Sequence, residues 1–105
     1  MTQSVLRFAL LPGRRDDFVE TFRRIEVLET SSALPGYRGG QLFADVEDPD
    51  TALVTAQWDS PAAYQEWLDH PAREEIGEQL RPFWAEDPQG AVFELVHDVA
   101  AQARA

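Results

Sequence analysis

Two side chains suited to proton transfer or hydrogen bonding stand close together, after a strand-like run that ends at Trp58. Tyr64 offers a phenolic hydroxyl, and His70 offers an imidazole, the group that changes its charge near neutral pH. We predict that both act on a bound molecule. Each residue also has a plainer role: His70 precedes Pro71, where an imidazole commonly caps backbone groups, and Tyr64 can hold its hydroxyl in solvent.

Aromatic side chains elsewhere in the chain are numerous enough to wall an apolar cavity. The predicted substrate contacts are Phe22, Phe43, Trp67, Phe83 and Trp84, with Arg38 as a polar partner. Large aromatics also dominate ordinary protein cores. Trp58 and Trp67 therefore have the alternative role of core residues that touch no ligand.

Composition excludes several classes of function. Cysteine is absent, which removes disulfide scaffolds, thiolate zinc sites, iron–sulfur clusters and cysteine nucleophiles. The formal charge of −10 and the lack of any lysine oppose binding to nucleic acid or anionic membranes. The apolar runs are short for a membrane span, and we expect a cytoplasmic protein. Phosphate-binding glycine loops and G-x-S-x-G or H-E-x-x-H motifs are missing, and a metal site is not expected.

Hydrophobic periodicity predicts the elements that position these residues. Strands are predicted at 4–11, 37–45, 51–58 and 91–96, and one helix at 14–32 with Phe18, Phe22, Ile25 and Leu28 on one face. Ser60-Pro61 is a strong helix start, and His70-Pro71 divides that helix from a second stretch. The order β-α-β-β-α-β predicts one ferredoxin-like α+β domain over 1–105: a four-stranded antiparallel sheet with its helices on one face, a core at about 4–98 and a frayed tail at 99–105.

The second face of the sheet is left without a covering layer in this arrangement. Alternation along the strands puts Leu53, Thr55 and Gln57 on one face and Ala52, Val54, Ala56 and Trp58 on the other. Neither face carries the regular charges of a solvated sheet. We therefore expect a homodimer in which two chains pack sheet to sheet, since twofold dimers are the commonest oligomers.

A longer pattern carries a family resemblance. It comprises Pro12-Gly13, the turn Leu34-Pro35-Gly36-Tyr37, and above all QWDSPAAY at 57–64 running into WLDHP at 67–71. This pattern resembles the antibiotic biosynthesis monooxygenase family of dimeric α+β barrels, and the resemblance covers about residues 4–98. It implies a sheet-to-sheet dimer, often with exchanged terminal segments, and one pocket per subunit between sheet and helices.

The resemblance also implies roles for particular residues. Some members of the family oxidise phenolic or anthrone polyketides with molecular oxygen and without metal or flavin, and in these a Trp at the position of Trp58 and a Tyr at that of Tyr64 belong to the site. The asparagine that such enzymes use falls at Val54, and their site arginine falls near Gly77, so both are missing; Arg73 or Arg81 could approach instead. The constellation of the haem-degrading relatives is also incomplete, which disfavours haem degradation.

Oxygen reacts slowly with closed-shell molecules because of its spin. A protein without a cofactor can help by binding an electron-rich phenol as its anion in an apolar, dry cavity. We therefore expect a cofactor-independent monooxygenase-like enzyme acting on a small aromatic or polyketide-type molecule, with Tyr64, His70 and Trp58 as its catalytic residues. Two alternatives stay open: a cyclase or isomerase that uses the same pocket without oxygen, and a dimeric protein that only binds a small molecule.

Overall fold

Four antiparallel strands and four helices make up the fold of residues 1–103. The computed structural model describes residues 1–103 of the chain. The elements are β1 Thr2–Ala9, α1 Arg15–Arg24, α2 Val27–Ser31, β2 Tyr37–Ala44, β3 Thr51–Trp58, α3 Pro61–Leu68, α4 Ala72–Leu80, a 3₁₀ turn Arg81–Phe83 and β4 Gln89–Glu94. The strand order is β2-β3-β1-β4, with every neighbouring pair antiparallel. The predicted ferredoxin-like α+β fold is confirmed.

The helix predicted at 14–32 is interrupted, and in this respect the prediction was wrong. Glu26 adopts a left-handed backbone conformation with φ 56° and separates α1 from α2. A non-glycine residue rarely takes this conformation, and it ends a helix when it does. The change of direction lets α2 bury Val27 and Ser31 against the rest of the fold. Apolar spacing alone carried no signal for the break, because Ile25 and Leu28 continue the pattern across it.

The bounds of the first and last strands differ from the predicted ones. β1 begins two residues earlier than expected, because Thr2 pairs with both Trp58 and Glu94 on the neighbouring strands. β4 occupies 89–94 rather than 91–96, in register with β1. Residues 95–103 follow without regular structure, and the rest of the predicted tail, 104–105, lies outside the described residues.

A bulge near the start of β2 changes which residues share a face. Tyr37 pairs with Trp58 and Gly39 with Gln57, so Arg38 is an extra residue in the strand. A bulge of this kind shifts the following residues to the opposite face. Tyr37 therefore lies on the helix side of the sheet and Phe43 on the other side, whereas a strand without a bulge would place both residues on one face.

The main core lies between the helices and the helix side of the sheet. It contains Phe8, Leu10, Phe18, Phe22, Val27, Ala52 and Leu80. Phe8 and Phe18 pack with ring centroids 4.9 Å apart, which ties β1 to α1. β4 has no such cover, since all six of its residues are exposed.

The start of α3 and the break between α3 and α4 lie where the sequence predicted them. Ser60 caps α3 by accepting a hydrogen bond from the Ala63 backbone N–H at 3.2 Å, with Pro61 in the first position of the helix. The helix ends at Leu68, and α4 begins at Ala72, directly after His70-Pro71. Residues of both helices, Trp67 of α3 and Arg73, Ile76, Gly77 and Leu80 of α4, line the candidate site.

Candidate functional site

A small cavity lies between the sheet and the helices. Its volume is about 100 Å³. The sheet contributes Leu6, Phe8 and Val54, the helices contribute Phe22, Val27, Trp67, Arg73, Ile76, Gly77 and Leu80, and the segment after α4 contributes Trp84 and Pro88. Almost all of these side chains are apolar. The cavity is a continuation of the core in which side chains leave space unfilled.

Three of the lining side chains carry hydrogen-bond donors, namely Trp67, Arg73 and Trp84. Arg73 is half-buried in the first turn of α4, and its guanidinium makes no ion pair with any other residue in 1–103. The indole nitrogen Nε1 of Trp84 is buried and has no hydrogen-bond partner within the described part of the chain. A buried N–H donor without a partner costs free energy. Arg73 is also the one titratable residue among the lining side chains.

An aromatic cluster adjoins the cavity on the side of α3. Trp58 is 1% exposed, and its Nε1 donates to the Ser4 hydroxyl at 3.1 Å. Tyr64 packs on Trp58 with ring centroids 5.6 Å apart, and Tyr37 approaches the same indole edge-on at 5.5 Å. Burial and the carboxylate of Glu29 raise the pKa of the Tyr37 hydroxyl. Trp67 belongs to this cluster and to the cavity wall, and so links the two.

His70 lies at the break between α3 and α4, beside the cluster. Its Nδ1 accepts a hydrogen bond from the Ala72 backbone N–H at 3.1 Å, and its ring lies 5.6 Å from that of Trp67. The imidazole therefore caps the start of α4, the plainer of its two expected roles. Neither His70 nor Tyr64 lines the cavity. A proton reaches either residue from the cavity only if a side chain moves or a water molecule bridges the gap.

Three of the predicted substrate contacts lie away from the cavity. Phe43 is 50% exposed on the opposite face of the sheet, where it pairs with Leu53. Arg38 forms an ion pair with Asp59 on the exterior, at the bulge. Phe83 packs against Phe18 at 6.3 Å, behind the cavity wall. Phe22, Trp67 and Trp84 do line the cavity, so the structure brings together half of the six predicted contacts.

Two residues that line the cavity, Val54 and Gly77, were not predicted as substrate contacts. Val54 and Gly77 had been noted as positions where the resembling enzymes carry polar side chains, and both prove to line the cavity. The alternation of β3 placed Val54 on the same face as Trp58, which was a usable signal. Gly77 leaves open space, because a Cβ added there would meet no atom within 4 Å.

A larger groove lies beside α1 and α2, next to the edge strand β2. It encloses about 730 Å³ but is open to solvent, and Asp16, Glu20, Arg23, Arg24 and Glu29 line it together with apolar residues. Its charged rim and openness give it less power to exclude water than the smaller cavity has. Within residues 1–103 no group of three or more His, Asp or Glu side chains is placed to hold a metal ion, and no helix there is long and apolar enough to cross a membrane.

Known proteins resemble this chain in sequence and in fold. A 42.8 kDa protein in the whiE locus of Streptomyces coelicolor is 29% identical over 65 residues, which are 62% of this chain and 16% of that protein. The chain therefore spans about a sixth of the curated relative it matches.

Two solved structures share the fold at low sequence identity. SnoaB, a cofactor-independent oxygenase from Streptomyces nogalater, superposes with a TM-score of 0.79 at 18% identity, covering 95% of this chain and 97% of its own. Rv0793 from Mycobacterium tuberculosis gives a TM-score of 0.77 at 15% identity, covering 94% and 98%.

The family itself is established by the sequence. The profile of the antibiotic biosynthesis monooxygenase family matches residues 1–79, from β1 into α4. The match includes the Trp58–Tyr64 segment, the break at His70 and most of the residues that line the cavity. The chain belongs to the antibiotic biosynthesis monooxygenase family.

Proposed function

We propose that the protein is a cofactor-independent monooxygenase-like enzyme that oxidises a small aromatic or polyketide-type molecule at the cavity beneath α3 and α4. The observation that carries the proposal is this apolar, aromatic-walled cavity in a chain of the monooxygenase family. The description of SnoaB as a cofactor-independent oxygenase adds support, since its fold is similar.

The reaction can be balanced without an external reductant. When the activated carbon of a phenol-stabilised ring system is a CH₂ group, O₂ inserts one oxygen atom to give C=O and leaves as one molecule of water with the two hydrogens. The substrate supplies all four electrons. The protein then has to favour the substrate anion, hold it next to oxygen and exclude bulk water.

The size of the cavity bears on the substrate. Pockets that bury drug-sized ligands measure roughly 300–1,000 Å³, and an engineered apolar cavity of about 150 Å³ admits benzene. The cavity of about 100 Å³ is smaller than both. A substrate with several rings therefore requires α4 to move away from the sheet, and one end of the molecule enters the space beside Gly77.

The side chains that line the cavity favour an oxidation over the reaction of a cyclase or isomerase. A cyclase or isomerase needs a group that takes a proton and returns it. The cavity wall holds one titratable side chain, Arg73, and arginine does not lose its proton in proteins. The donors among the lining side chains suit the stabilisation of an anion, which forms when a phenol or enol releases its proton to water on entering the cavity. This anion is the species that reacts with oxygen, and the proton does not have to be returned to the same site.

A second copy of the chain is the partner we propose for the free face of the sheet, the face away from the helices. Phe43 and Phe93 are 50% and 56% exposed there, with Val5 and Leu53 between them on the central strands. Exposed aromatic and aliphatic side chains on one face are typical of an interface. Family members form such dimers, as the sequence resemblance implied.

Oxygen uptake tests the proposal. Protein freed of flavin and metal by dialysis against chelator is mixed with an anthrone in an oxygen electrode, and the product is identified by mass spectrometry. We expect one O₂ consumed per quinone formed, with one labelled oxygen atom entering the product from ¹⁸O₂. Product formation under nitrogen would point to the cyclase or isomerase, and recovery of unchanged ligand would point to a binding protein.

A further inference from the structure

The open groove beside α1, called the α1 groove from here on, has no part in the proposed function. It encloses about 730 Å³ between α1, α2 and the edge strand β2. Its apolar lining residues include Val19, Leu28 and Leu42, which are all partly exposed. Leu42 pairs with Val54 on the helix side of the sheet, so a dimer formed through the free face leaves the α1 groove open. Partly exposed apolar side chains with a charged rim are typical of a surface that binds another protein.

Four charged side chains of α1 stand at this groove. Asp16 and Glu20 come from the first half of the helix, and Arg23 and Arg24 from its last turn. All four are exposed, and none forms an ion pair within residues 1–103. Glu20 and Arg24 are four residues apart, a spacing at which opposite charges commonly pair on a helix, yet they do not pair here. The α1 groove therefore has an acidic end and a basic end whose charges are available to a partner.

The order of these charges makes α1 complementary to a second copy of itself. Residues three and four apart lie on the same side of a helix, so positions 16, 19, 20 and 23 form one stripe. In an isologous contact about a twofold axis, residue i of one copy faces residue j of the other, and j faces i. If the axis passes between Val19 and Glu20 of two antiparallel helices, Asp16 of each copy faces Arg23 of the other.

We propose that the α1 groove docks a second copy of this chain, with the two α1 helices antiparallel and with Asp16 and Arg23 forming two symmetry-related ion pairs. The contact goes beyond the proposed function and needs neither oxygen nor a ligand. It uses a different surface from the free face of the sheet, so chains that already pair through that face assemble into tetramers. α1 has ten residues and is about 15 Å long, so the contact is small and the association depends on protein concentration.

Charge reversal gives two variants that should fail alone and associate when mixed. Asp16→Arg places arginine against arginine in a pair of identical chains, and Arg23→Asp places aspartate against aspartate. A pair made of one chain of each variant regains both ion pairs. Sedimentation equilibrium measures the association, with Phe43→Asp in every chain to remove contacts through the free face. We expect each variant alone to associate at least about tenfold more weakly than the parent, and the equimolar mixture to associate as the parent does.

The mixture also controls for folding and for net charge. A variant that failed to fold would not regain association on mixing. Asp16→Arg makes the chain less negative than the native −10, so general repulsion alone would strengthen its association, the opposite of the expected result. Asp17→Arg is the matched control, because it makes the same change in the same turn of α1 but does not line the groove. Its association should equal that of the parent.

Cross-linking gives a second measurement, since the chain has no cysteine of its own. Glu20→Cys lies next to the expected twofold axis, and Asp17→Cys lies on the same helix outside the groove. A short thiol-reactive cross-linker should join two Glu20→Cys chains at least several-fold faster than two Asp17→Cys chains. Equal rates would overturn the inference, as would a mixture of the charge variants that associates no better than either variant alone.

A small molecule is the alternative occupant of the α1 groove. Anilinonaphthalene sulfonate, an apolar anion, is the probe for it. If the parent binds this anion, Leu42→Asp abolishes the binding, and the parent stays monomeric at every concentration, the groove takes a ligand and the inference is overturned. None of these measurements involves oxygen uptake, so their failure and the failure of the proposed function are observed separately.

Discussion

Filling the open space at Gly77 should raise stability and lower activity together. Gly77 lies within α4, its φ is not positive, and an added Cβ would meet no atom within 4 Å. Glycine in a helix interior is about 0.8–1.0 kcal/mol less favourable than alanine. Gly77→Ala should therefore increase the free energy of unfolding by up to about 1 kcal/mol, which for a domain of this size raises Tm by roughly 4–8 °C.

A larger side chain at the same position should block the cavity itself. Gly77→Leu places a good helix former within α4, and its side chain occupies the volume that a ligand would use. We expect a Tm equal to or above that of the native protein, with a rise in KM or a loss of kcat of at least about tenfold.

Both quantities are measured on the same preparations, Tm by circular dichroism and turnover by oxygen uptake. Gln79→Ala, on an exposed position of the same helix, is the control for helix propensity without any change in the cavity. Turnover by Gly77→Leu with native kcat and KM would refute the placement of the site beneath α4. A steep fall in Tm for Gly77→Ala would refute the open space.

Three further results are expected. Phe43→Asp puts a charge on the free face of the sheet and should convert a dimer to a monomer in light scattering after size exclusion. Gly36→Ala brings a Cβ to less than 3.0 Å from that of Ala63, so it should cost about 1–3 kcal/mol in urea unfolding. The Asp45 carboxylate accepts hydrogen bonds from the backbone N–H groups of Asp48 and Glu47, at 2.9 and 2.8 Å, and these lower its pKa below the usual 3.8. We expect the native protein to lose stability as pH falls below about 4, and Asp45→Asn should make this loss smaller in urea unfolding measured over that pH range.

Each of these results has an outcome that would contradict it. If the native protein is already monomeric, Phe43 does not contribute to a dimer interface. If Gly36→Ala is as stable as the native protein, Ala63 of α3 does not approach Gly36 as closely as described. The sign of the acid effect follows from the lowered pKa of Asp45. Its contribution is present above the pKa that aspartate has in the unfolded chain and disappears as pH falls through the lower value in the fold. If the free energy of unfolding of Asp45→Asn falls with acid as steeply as that of the native protein, this assignment is wrong.

The sequence predicted the sheet well because its signals were local. β3 was predicted at the residues where it lies, 51–58, since alternating faces and the polar turns around them bound it on both sides. Ser60 and Pro61 marked the start of α3 through capping chemistry alone. No spacing along the chain records the left-handed Glu26. The bulge at Arg38 did have a local signal, because a glycine pair within a strand, here Gly39-Gly40, often marks a bulge.

The candidate site was harder to predict for the same reason. Aromatic residues were recognised as possible walls, but which of them meet depends on the register of β2 and the break between α1 and α2. Phe43 fell on the free face, whereas Trp84 reached the cavity through its bridge to Leu10. The unpaired indole N–H is visible only once three-dimensional packing is known. The catalytic roles of Tyr64, His70 and Trp58 stay predictions.

The most direct test of the account compares the native protein with Gly77→Leu, with and without oxygen, on one phenolic substrate. The account predicts that the native protein, free of flavin and metal, forms an oxygenated product in air and none under nitrogen, and that the leucine variant remains folded but nearly inactive. Equal product in air and under nitrogen, or equal turnover by both proteins, would contradict it.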